Sequence, residues 1–356
     1  MQRYIGLDVH AASSTLAVIS ERGKRLRDFP IETNGQALVE AIRAIAGSKH
    51  VILEEGTQSA WLYEILGPHV EEIVVAGVTR SRGQKNDKID AYALAEKLRV
   101  GAVAKRIFKG CGPFTALREH SRTHAMLVGD VVRVQARLKS LYRSRGIPTP
   151  GAAVYGQRGR GQWIKQLPRA TRTAASQLYD QLDLLVELKE KAEAELIKEL
   201  GKHSIARVLQ TAPGFGPIRV ARLLSVVITP HRFRTKRQFW SYCGLGIVMR
   251  SSSDWVRAVD GRWLRAQVQQ TRGLTRQHNR PLKAIFKGAA TTVITQANKD
   301  PIYGLYQRLI ESGTKPNLAR VSLARAIAAI VLRMWKDQEV YKPQYYGTQH
   351  ATARDA

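Results

Sequence analysis

The sequence is poor in cysteine: its 356 residues contain only two, Cys111 and Cys243, which lie far apart. Two isolated thiols exclude a disulfide framework and a zinc site built from paired cysteines. The sequence also lacks any run of 18 apolar residues, which excludes a helical membrane span. Asp8 and His10 stand where a signal peptide would need an apolar stretch. We therefore expect a cytoplasmic protein with no membrane partner.

Acidic residues are scarce relative to basic ones. The chain has 57 Lys and Arg against 29 Asp and Glu, a formal net charge of +28. Residues 1–100 contain 13 basic and 13 acidic residues, whereas residues 202–290 contain 17 basic and two acidic residues. This asymmetry separates a balanced module from one that binds a polyanion, which is most often nucleic acid.

The N-terminal part alternates strand and helix patterns. Three short strands over residues 4–10, 14–20 and 25–31 open the chain, and helix and strand patterns then alternate up to a helix that starts at Lys88. The order βββαβαβα predicts a three-stranded meander joined to parallel crossover units. With an acid in the first strand, this order is typical of a ribonuclease-H-like nuclease fold.

The rest of the chain has mainly helical patterns. Two long periodic segments, residues 117–142 and 173–200, predict an antiparallel helical hairpin with coiled-coil character. Helices follow, interrupted by a Ser/Trp/Arg-rich loop. The fold class expected is α/β plus α, with these parts: an α/β domain over residues 1–110, a helical arm over 111–201, a mainly helical C-terminal domain over 202–340 and a disordered tail over 341–356.

Four acids are candidates for a metal site. Asp8 lies in an apolar strand, where its carboxylate is costly without a partner. Glu54 ends the next buried strand, with Glu55 beside it as an alternative, and Asp87 and Asp90 share one face at a helix start. Together they predict oxygen ligands for hard cations, and we expect Mg²⁺ to support phosphodiester cleavage. The competing interpretation is that they serve as turn, capping and helix-dipole residues.

The chain resembles the insertion-sequence 110 family of DEDD transposases in two N-terminal segments, Tyr4-Ile-Gly-Leu-Asp-Val-His10 and Lys85-Asn-Asp-Lys-Ile-Asp-Ala-Tyr-Ala-Leu-Ala95. The resemblance continues nearly to the end of the chain, through Pro213-Gly-Phe-Gly216, Tyr242-Cys-Gly-Leu245, Ser251 to Ser253, Asn279-Arg-Pro-Leu-Lys283 and Ala289-Ala290. It implies a RuvC-like N-terminal domain, a coiled-coil middle and a C-terminal transposase domain. It further implies a recombinase guided by a structured bridge RNA that pairs with donor and target DNA.

The resemblance also implies roles for individual residues. Asp8, Glu54, Asp87 and Asp90 match the DEDD quartet, and Glu54 is preferred to Glu55 because Gly56 follows two positions on. Ser252 matches the catalytic serine, which would attack a DNA phosphate and form a 5′-phosphoserine link. Because Ser253 and Asp254 replace the family's usual Ser-Gly-Gly, Ser251 and Ser253 stay as alternatives.

Basic residues surround the serines and are predicted to contact nucleic-acid phosphates. They are Arg250, Arg257, Arg262, Arg265, Arg272, Arg276, Arg280 and Lys283. Trp240, Trp255 and Trp263 are interleaved with them, and for each we favour core packing over base stacking. The helical arm predicts at least a dimer, and recombination of two duplexes a tetramer.

Two other functions stay open on the sequence alone. A RuvC-type structure-specific endonuclease would use the acids alone and tolerate loss of Ser252. A non-catalytic nucleic-acid-binding scaffold would tolerate loss of Asp8 as well.

Overall fold

The computed structural model describes residues 1–78, 86–107, 112–250, 255–265, 270–297 and 299–343. The chain divides into two compact units, unit 1 (Met1–Gly112) and unit 2 (Pro113–Ala356). No helix in the described ranges is long and apolar enough to cross a membrane. Residues 344–356 of the predicted disordered tail lie outside the described residues.

Unit 1 is built on a mixed six-stranded sheet with the order β3-β2-β1-β4-β5-β6. Its strands are β1 (Gln2–Val9), β2 (Ser13–Ser20), β3 (Arg25–Glu32), β4 (Ser48–Glu54), β5 (Glu72–Ala76) and β6 (Arg106–Ile107). The meander β1-β2-β3 is antiparallel, and β4 is parallel to both β1 and β5. The predicted mixed sheet is therefore confirmed. The antiparallel β6 was not predicted, because two residues are too few to show a period.

The α-helices in the described part of unit 1 are α1 (Gly35–Arg43), α2 (Ser59–Leu66) and α3 (Asp87–Arg99), and they pack against this sheet. Side chains alternate between the two faces of a strand. Odd-numbered residues of β1 such as Leu7 pack with α1 and α2 in one core cluster. The opposite face carries a second cluster in which Ala91 and Ala95 of α3 contact Ala17. The middle of the first strand is thus buried on both faces, whereas both of its ends reach solvent.

Unit 2 is mainly helical. Its helices are α4 (Thr115–Arg143), α5 (Arg160–Lys165), α6 (Arg169–Leu200), α7 (Ser204–Gln210), α8 (Pro217–Val227), α9 (Lys236–Tyr242), α10 (Arg280–Thr295), α11 (Tyr303–Glu311) and α12 (Pro316–Asp337). The central core of this unit contains a chain of ring contacts that links Phe215, Phe286 and Phe239. The helical C-terminal region predicted from the sequence is confirmed.

The long helices α4 and α6 pack against each other in antiparallel orientation. Tyr142 near the end of α4 shares a hydrogen bond of 3.1 Å with Tyr179 near the start of α6. His124, nearer the start of α4, lies 3.4 Å from Glu193, nearer the end of α6. The helical hairpin is therefore present, whereas its coiled-coil character stays a prediction.

The Ser/Trp/Arg-rich segment was predicted as a loop, and this prediction was wrong. It contains β7 (Ile247–Arg250), β8 (Trp255–Arg257), β9 (Trp263–Arg265) and β10 (Gln270–Leu274). β7 pairs with β10 and β8 with β9, both antiparallel. The missed signal is Asp260-Gly261 between two short segments of alternating residues, which is a hairpin-turn sequence.

Candidate active site

The sheet places Asp8 and Glu54 at the same edge. Leu7 of β1 pairs with Leu53 of β4 in parallel register, so the next residues, Asp8 and Glu54, end adjacent strands side by side. By strand alternation Asp8 and Glu54 face the side of the sheet that α3 covers. Glu55 follows the end of β4 and is exposed, whereas Glu54 is half-buried. The strand pairing thus favours Glu54 over Glu55 as the partner of Asp8.

Gly6 allows α3 to lie directly against β1. A Cβ atom at Gly6 would lie 1.8 Å from the carbonyl oxygen of Ala91 and 2.8 Å from the backbone nitrogen of Ala95. Only a residue without a side chain fits such a contact between two backbones. Since Asp8 lies two residues beyond Gly6 on the same face, this contact brings the first turn of α3 beside the Asp8 carboxylate.

The first turn of α3 is held in place by polar contacts on both sides. The side chain of Asn86 caps the helix by accepting a hydrogen bond from the backbone N–H of Lys88, at 3.0 Å. The Lys88 ammonium lies 2.8 Å from Oδ2 of Asp28 on β3, and the Tyr92 hydroxyl donates to Oδ1 of Asp28 at 3.2 Å. These contacts keep Asp87 and Asp90 fixed at the end of β1.

His10 joins the acids, a residue that our sequence analysis did not include in the site. Its Nε2 atom lies 3.5 Å from Oδ2 of Asp8 and 3.6 Å from Oδ1 of Asp87. One ligand atom from each of these three side chains lies within 4.8 Å of the others. The missed signal was the spacing of Asp8 and His10, because residues two apart at a strand end face the same way.

The surroundings of Asp8 disfavour its ionised form. Partial burial raises the pKa of Asp8, and the negative charges of Asp87 and Asp90 raise it further. His10 acts in the opposite direction, since its charge and its hydrogen bond favour the ionised carboxylate. A divalent cation would relieve the same repulsion, so the donor set of carboxylates and one imidazole fits a metal ion.

A cavity of about 380 Å³ opens beside these groups. Asp8, His10 and Glu54 line it, together with the loop from Glu55 to Gln58. The structure therefore brings Asp8, Asp87 and Asp90 within electrostatic range, and it places Glu54 in the same cavity as Asp8. The volume is large enough for ions and a phosphate group.

The serines predicted as nucleophiles lie in a part of the chain that the structure does not describe. Ser251, Ser252, Ser253 and Asp254 lie outside the described residues, between β7 and β8 in sequence, and the side chains of Arg250, Arg265 and Arg272 are likewise not described. Of the remaining predicted phosphate contacts, Arg257, Arg262, Arg276 and Arg280 are exposed and Lys283 is half-buried. Arg280 and Lys283 belong to the first turn of α10.

The tryptophans between these arginines differ in their surroundings. Trp240 is half-buried and donates from Nε1 to the carbonyl of Arg325 at 2.9 Å, as expected for a packed residue. Trp255 and Trp263 are exposed on the β8–β9 hairpin, so the prediction that they pack in the core was wrong. Within the described residues, β8 and β9 form a sheet of only two strands.

Two protein-family models match this chain. A DEDD-type IS110 model, described as a transposase, matches residues 5–144 and so includes the four acids. A second model, described as transposase of the IS116/IS110/IS902 family, matches residues 206–307. A search of curated proteins finds no match.

The class of protein that these matches support is a transposase, an enzyme that cuts and rejoins DNA and therefore has DNA as a partner. The mixed sheet with its helices and the helical C-terminal region fit a RuvC-like member of that class. The particular family that both matches support is the IS110 family of transposases. A divalent metal is typical of DEDD transposases, and the acids and His10 of unit 1 offer a site for one.

Proposed function

We propose that the chain is the recombinase of an insertion sequence and cuts and rejoins DNA with two sets of residues. The observation that carries this proposal is the convergence of Asp8, His10 and Asp87 at the end of β1, beside Asp90. Such a cluster is costly in a protein that uses its acids only as caps. The transposase matches over both units support a role in DNA cleavage.

Asp8, Glu54, Asp87 and Asp90 would hold Mg²⁺, with His10 beside them. When bound, the cation would polarise a phosphate and stabilise a departing oxygen. The protein residues have their own tasks: Gly6 sets the distance between β1 and α3, and Lys88 fixes the acids of α3 against β3.

Ser252 is the proposed nucleophile. Its hydroxyl oxygen would form a bond to the DNA phosphorus while the bond from phosphorus to the 3′-oxygen breaks. The serine proton goes to a base, and the released 3′-oxygen takes a proton to become a 3′-hydroxyl. In strand exchange a 3′-hydroxyl attacks the phosphoserine link and regenerates the serine, so no nucleotide cofactor is consumed.

The partners in this proposal are donor DNA, target DNA and a bridge RNA, and the working form is a dimer or tetramer. The basic residues of unit 2 support contacts with nucleic-acid phosphates. Sequencing the nucleic acid that copurifies with the chain tests the RNA: enrichment of one structured RNA supports guidance, and random fragments contradict it.

Cleavage and adduct assays test the two sets of residues separately. Asp8→Asn and Glu54→Gln are expected to abolish strand cleavage, whereas Glu55→Gln, the adjacent matched control, keeps it. Ser252→Ala is expected to abolish the covalent DNA adduct, with Ser251→Ala and Ser253→Ala as matched variants. Cleavage that persists without an adduct in Ser252→Ala would favour a hydrolytic endonuclease instead. Full activity of Asp8→Asn would refute both enzymes.

A further inference from the structure

The hairpin formed by β8 and β9 exposes two tryptophans on one face. Trp255 is 56% exposed and Trp263 is 65% exposed. Arg257 lies opposite Trp263 in the strand pairing, and it follows Trp255 by two residues. Opposed residues and residues two apart share a face, so Trp255, Arg257 and Trp263 all point to the same side. Two indoles left in solvent on one face are unusual for a surface without a partner.

The spacing of the two indoles suits a flat ligand. Trp255 and Trp263 are diagonal neighbours across the strand pair, and such neighbours lie about 7–8 Å apart. Stacked bases are about 3.4 Å apart. The separation of the two tryptophans is about twice this distance, so one base fits between their rings. Within the described ranges, no other aromatic ring contacts either indole, and more than half of the surface of each tryptophan is exposed.

The charge beside the indoles selects the kind of ligand. Arg257 and Arg262 are exposed at the end of the hairpin, and the Arg262 side chain is 84% exposed although the Asp260 carboxylate lies 3.7 Å away. Residues 247–274 contain five arginines against two aspartates. Aromatic rings interleaved with positive charge match a nucleic-acid strand, since the rings stack on bases and the arginines neutralise phosphates. An apolar protein partner would leave this charge without a match.

The end of the hairpin is closed by a well-defined turn. The backbone N–H of Ala258 donates to the carbonyl of Arg262 at 2.7 Å, and Gly261 donates to Ala258 at 2.9 Å. Gly261 has a φ of +82°, the left-handed conformation that glycine adopts without strain. The turn orders the backbone that carries both indoles, which lowers the entropy lost on binding.

We propose that the Trp255–Trp263 face binds unpaired bases of a DNA strand by stacking, with Arg257 and Arg262 on the phosphates. The choice of DNA rests on the proposed function, because a recombinase must handle separated strands. A fully paired duplex hides its base faces in the stack, so this face distinguishes unpaired from paired DNA.

Binding of the full chain to three fluorescent probes tests the inference: an unpaired DNA strand, the same sequence as a duplex, and the same sequence as RNA. Trp255→Ala and Trp263→Ala should each weaken binding to unpaired DNA by about tenfold and leave duplex binding unchanged. Trp255→Phe and Trp263→Phe should retain most of the affinity. Trp61→Ala, which removes a 36% exposed tryptophan of unit 1, is the matched control and should change nothing.

A 2-aminopurine base in the unpaired strand reports stacking directly. Its fluorescence should fall on binding to the wild-type chain and fall less with either alanine variant. Equal losses of affinity on unpaired and duplex DNA, no loss at all, or a loss confined to RNA would overturn the inference. So would a change of oligomeric mass in the tryptophan variants with DNA binding intact, since the face would then contact a second copy.

The same experiment separates this inference from the proposed function. The Asp8→Asn variant is changed only in unit 1. It should bind unpaired DNA like the wild type but lose the ability to cleave DNA. If the wild-type chain cleaves no DNA but binds unpaired strands through Trp255 and Trp263, the proposed recombinase fails and the stacking face stands.

Discussion

The Nε2 atom of His10 lies 3.6 Å from Oδ1 of Asp87, although His10 directly follows β1 and Asp87 begins α3. This relationship connects the end of β1 with the first turn of α3. It places an imidazole among carboxylates, a donor set that differs from one made of acids alone. The ion preference of the site should reflect this difference.

Substitution of His10 should change metal binding selectively. Imidazole favours ions such as Co²⁺, whereas Mg²⁺ is bound well by carboxylates and water. We expect His10→Ala to weaken Co²⁺ binding by about tenfold, or ~1.4 kcal/mol, and to weaken Mg²⁺ binding less. Titration calorimetry and the visible spectrum of bound Co²⁺ measure this. His69→Ala, which removes a histidine that contacts Arg43 instead, is the control. Equal effects on both ions would contradict a ligand role.

The charge state of Asp8 predicts a pH effect on folding. Because the pKa of Asp8 is raised in the folded chain, its contribution to the free energy of unfolding is present below the ordinary pKa of about 3.8 and is lost as pH rises through the raised value. Without metal, Asp8→Asn should therefore melt at a higher temperature than the wild type at pH 7, and the difference should vanish near pH 3.

Asp28 provides a test in which ionisation of the carboxylate is expected to stabilise the fold rather than destabilise it. Hydrogen bonds from Lys88 and Tyr92 help to hold the pKa of Asp28 below its ordinary value. Its contribution to stability is present above pH 3.8 and is lost as pH falls through the lowered value. Asp28→Asn should thus lower the melting temperature at pH 7. If both aspartate variants shift the melting temperature in the same direction, the electrostatic account of unit 1 is wrong.

Gly6 should be intolerant of any side chain. In Gly6→Ala the new methyl group meets the backbone of Ala91, which cannot rotate away, so α3 must move from β1. We expect a loss of about 1–3 kcal/mol in the free energy of unfolding, the usual cost of overpacking, measured by urea denaturation. Gly56→Ala is the matched control in unit 1, because no atom lies within 4 Å of its added Cβ and its φ is not positive. Similar losses in the two variants would argue against the close contact.

His124 should make the helical hairpin of unit 2 sensitive to acid. It is 2% exposed, and burial, with the nearby Arg222 charge, lowers its pKa despite Glu193 at 3.4 Å. Its contribution to stability is present above pH 6.5 and is lost as pH falls through the lowered value. His124→Gln should therefore lose less stability than the wild type between pH 7.5 and pH 5. The exposed His231→Gln serves as control and should follow the wild type.

The fold of unit 1 was largely predictable because its signals are local. The apolar strand around Asp8 and the Asp-Lys-Ile-Asp helix start each identify their element, and the order of elements implies their meeting point. The role of Gly6 could not be predicted, since the sequence does not show which backbone approaches it. His10 was missed for a related reason: its position relative to Asp87 depends on the packing of α3.

The β8–β9 hairpin of unit 2 was not predicted, for a different reason. Strands of three residues, such as Trp255–Arg257, carry too little periodicity to distinguish them from a loop. Tryptophan is usually buried, so composition favoured core packing for Trp255 and Trp263. Their exposure follows from the strand pairing, which depends on the turn at Asp260-Gly261. Recognition of that turn would have changed the prediction for both residues.

The ion pair of Lys88 with Asp28 means that residues outside the cavity help to position the acids of α3. Lys88 lies between Asp87 and Asp90 in the sequence, yet its ammonium turns away from them toward β3, an edge strand of the sheet. Natural or engineered changes on that edge strand could therefore adjust the geometry of the acidic site gradually, without altering any group that lines the cavity.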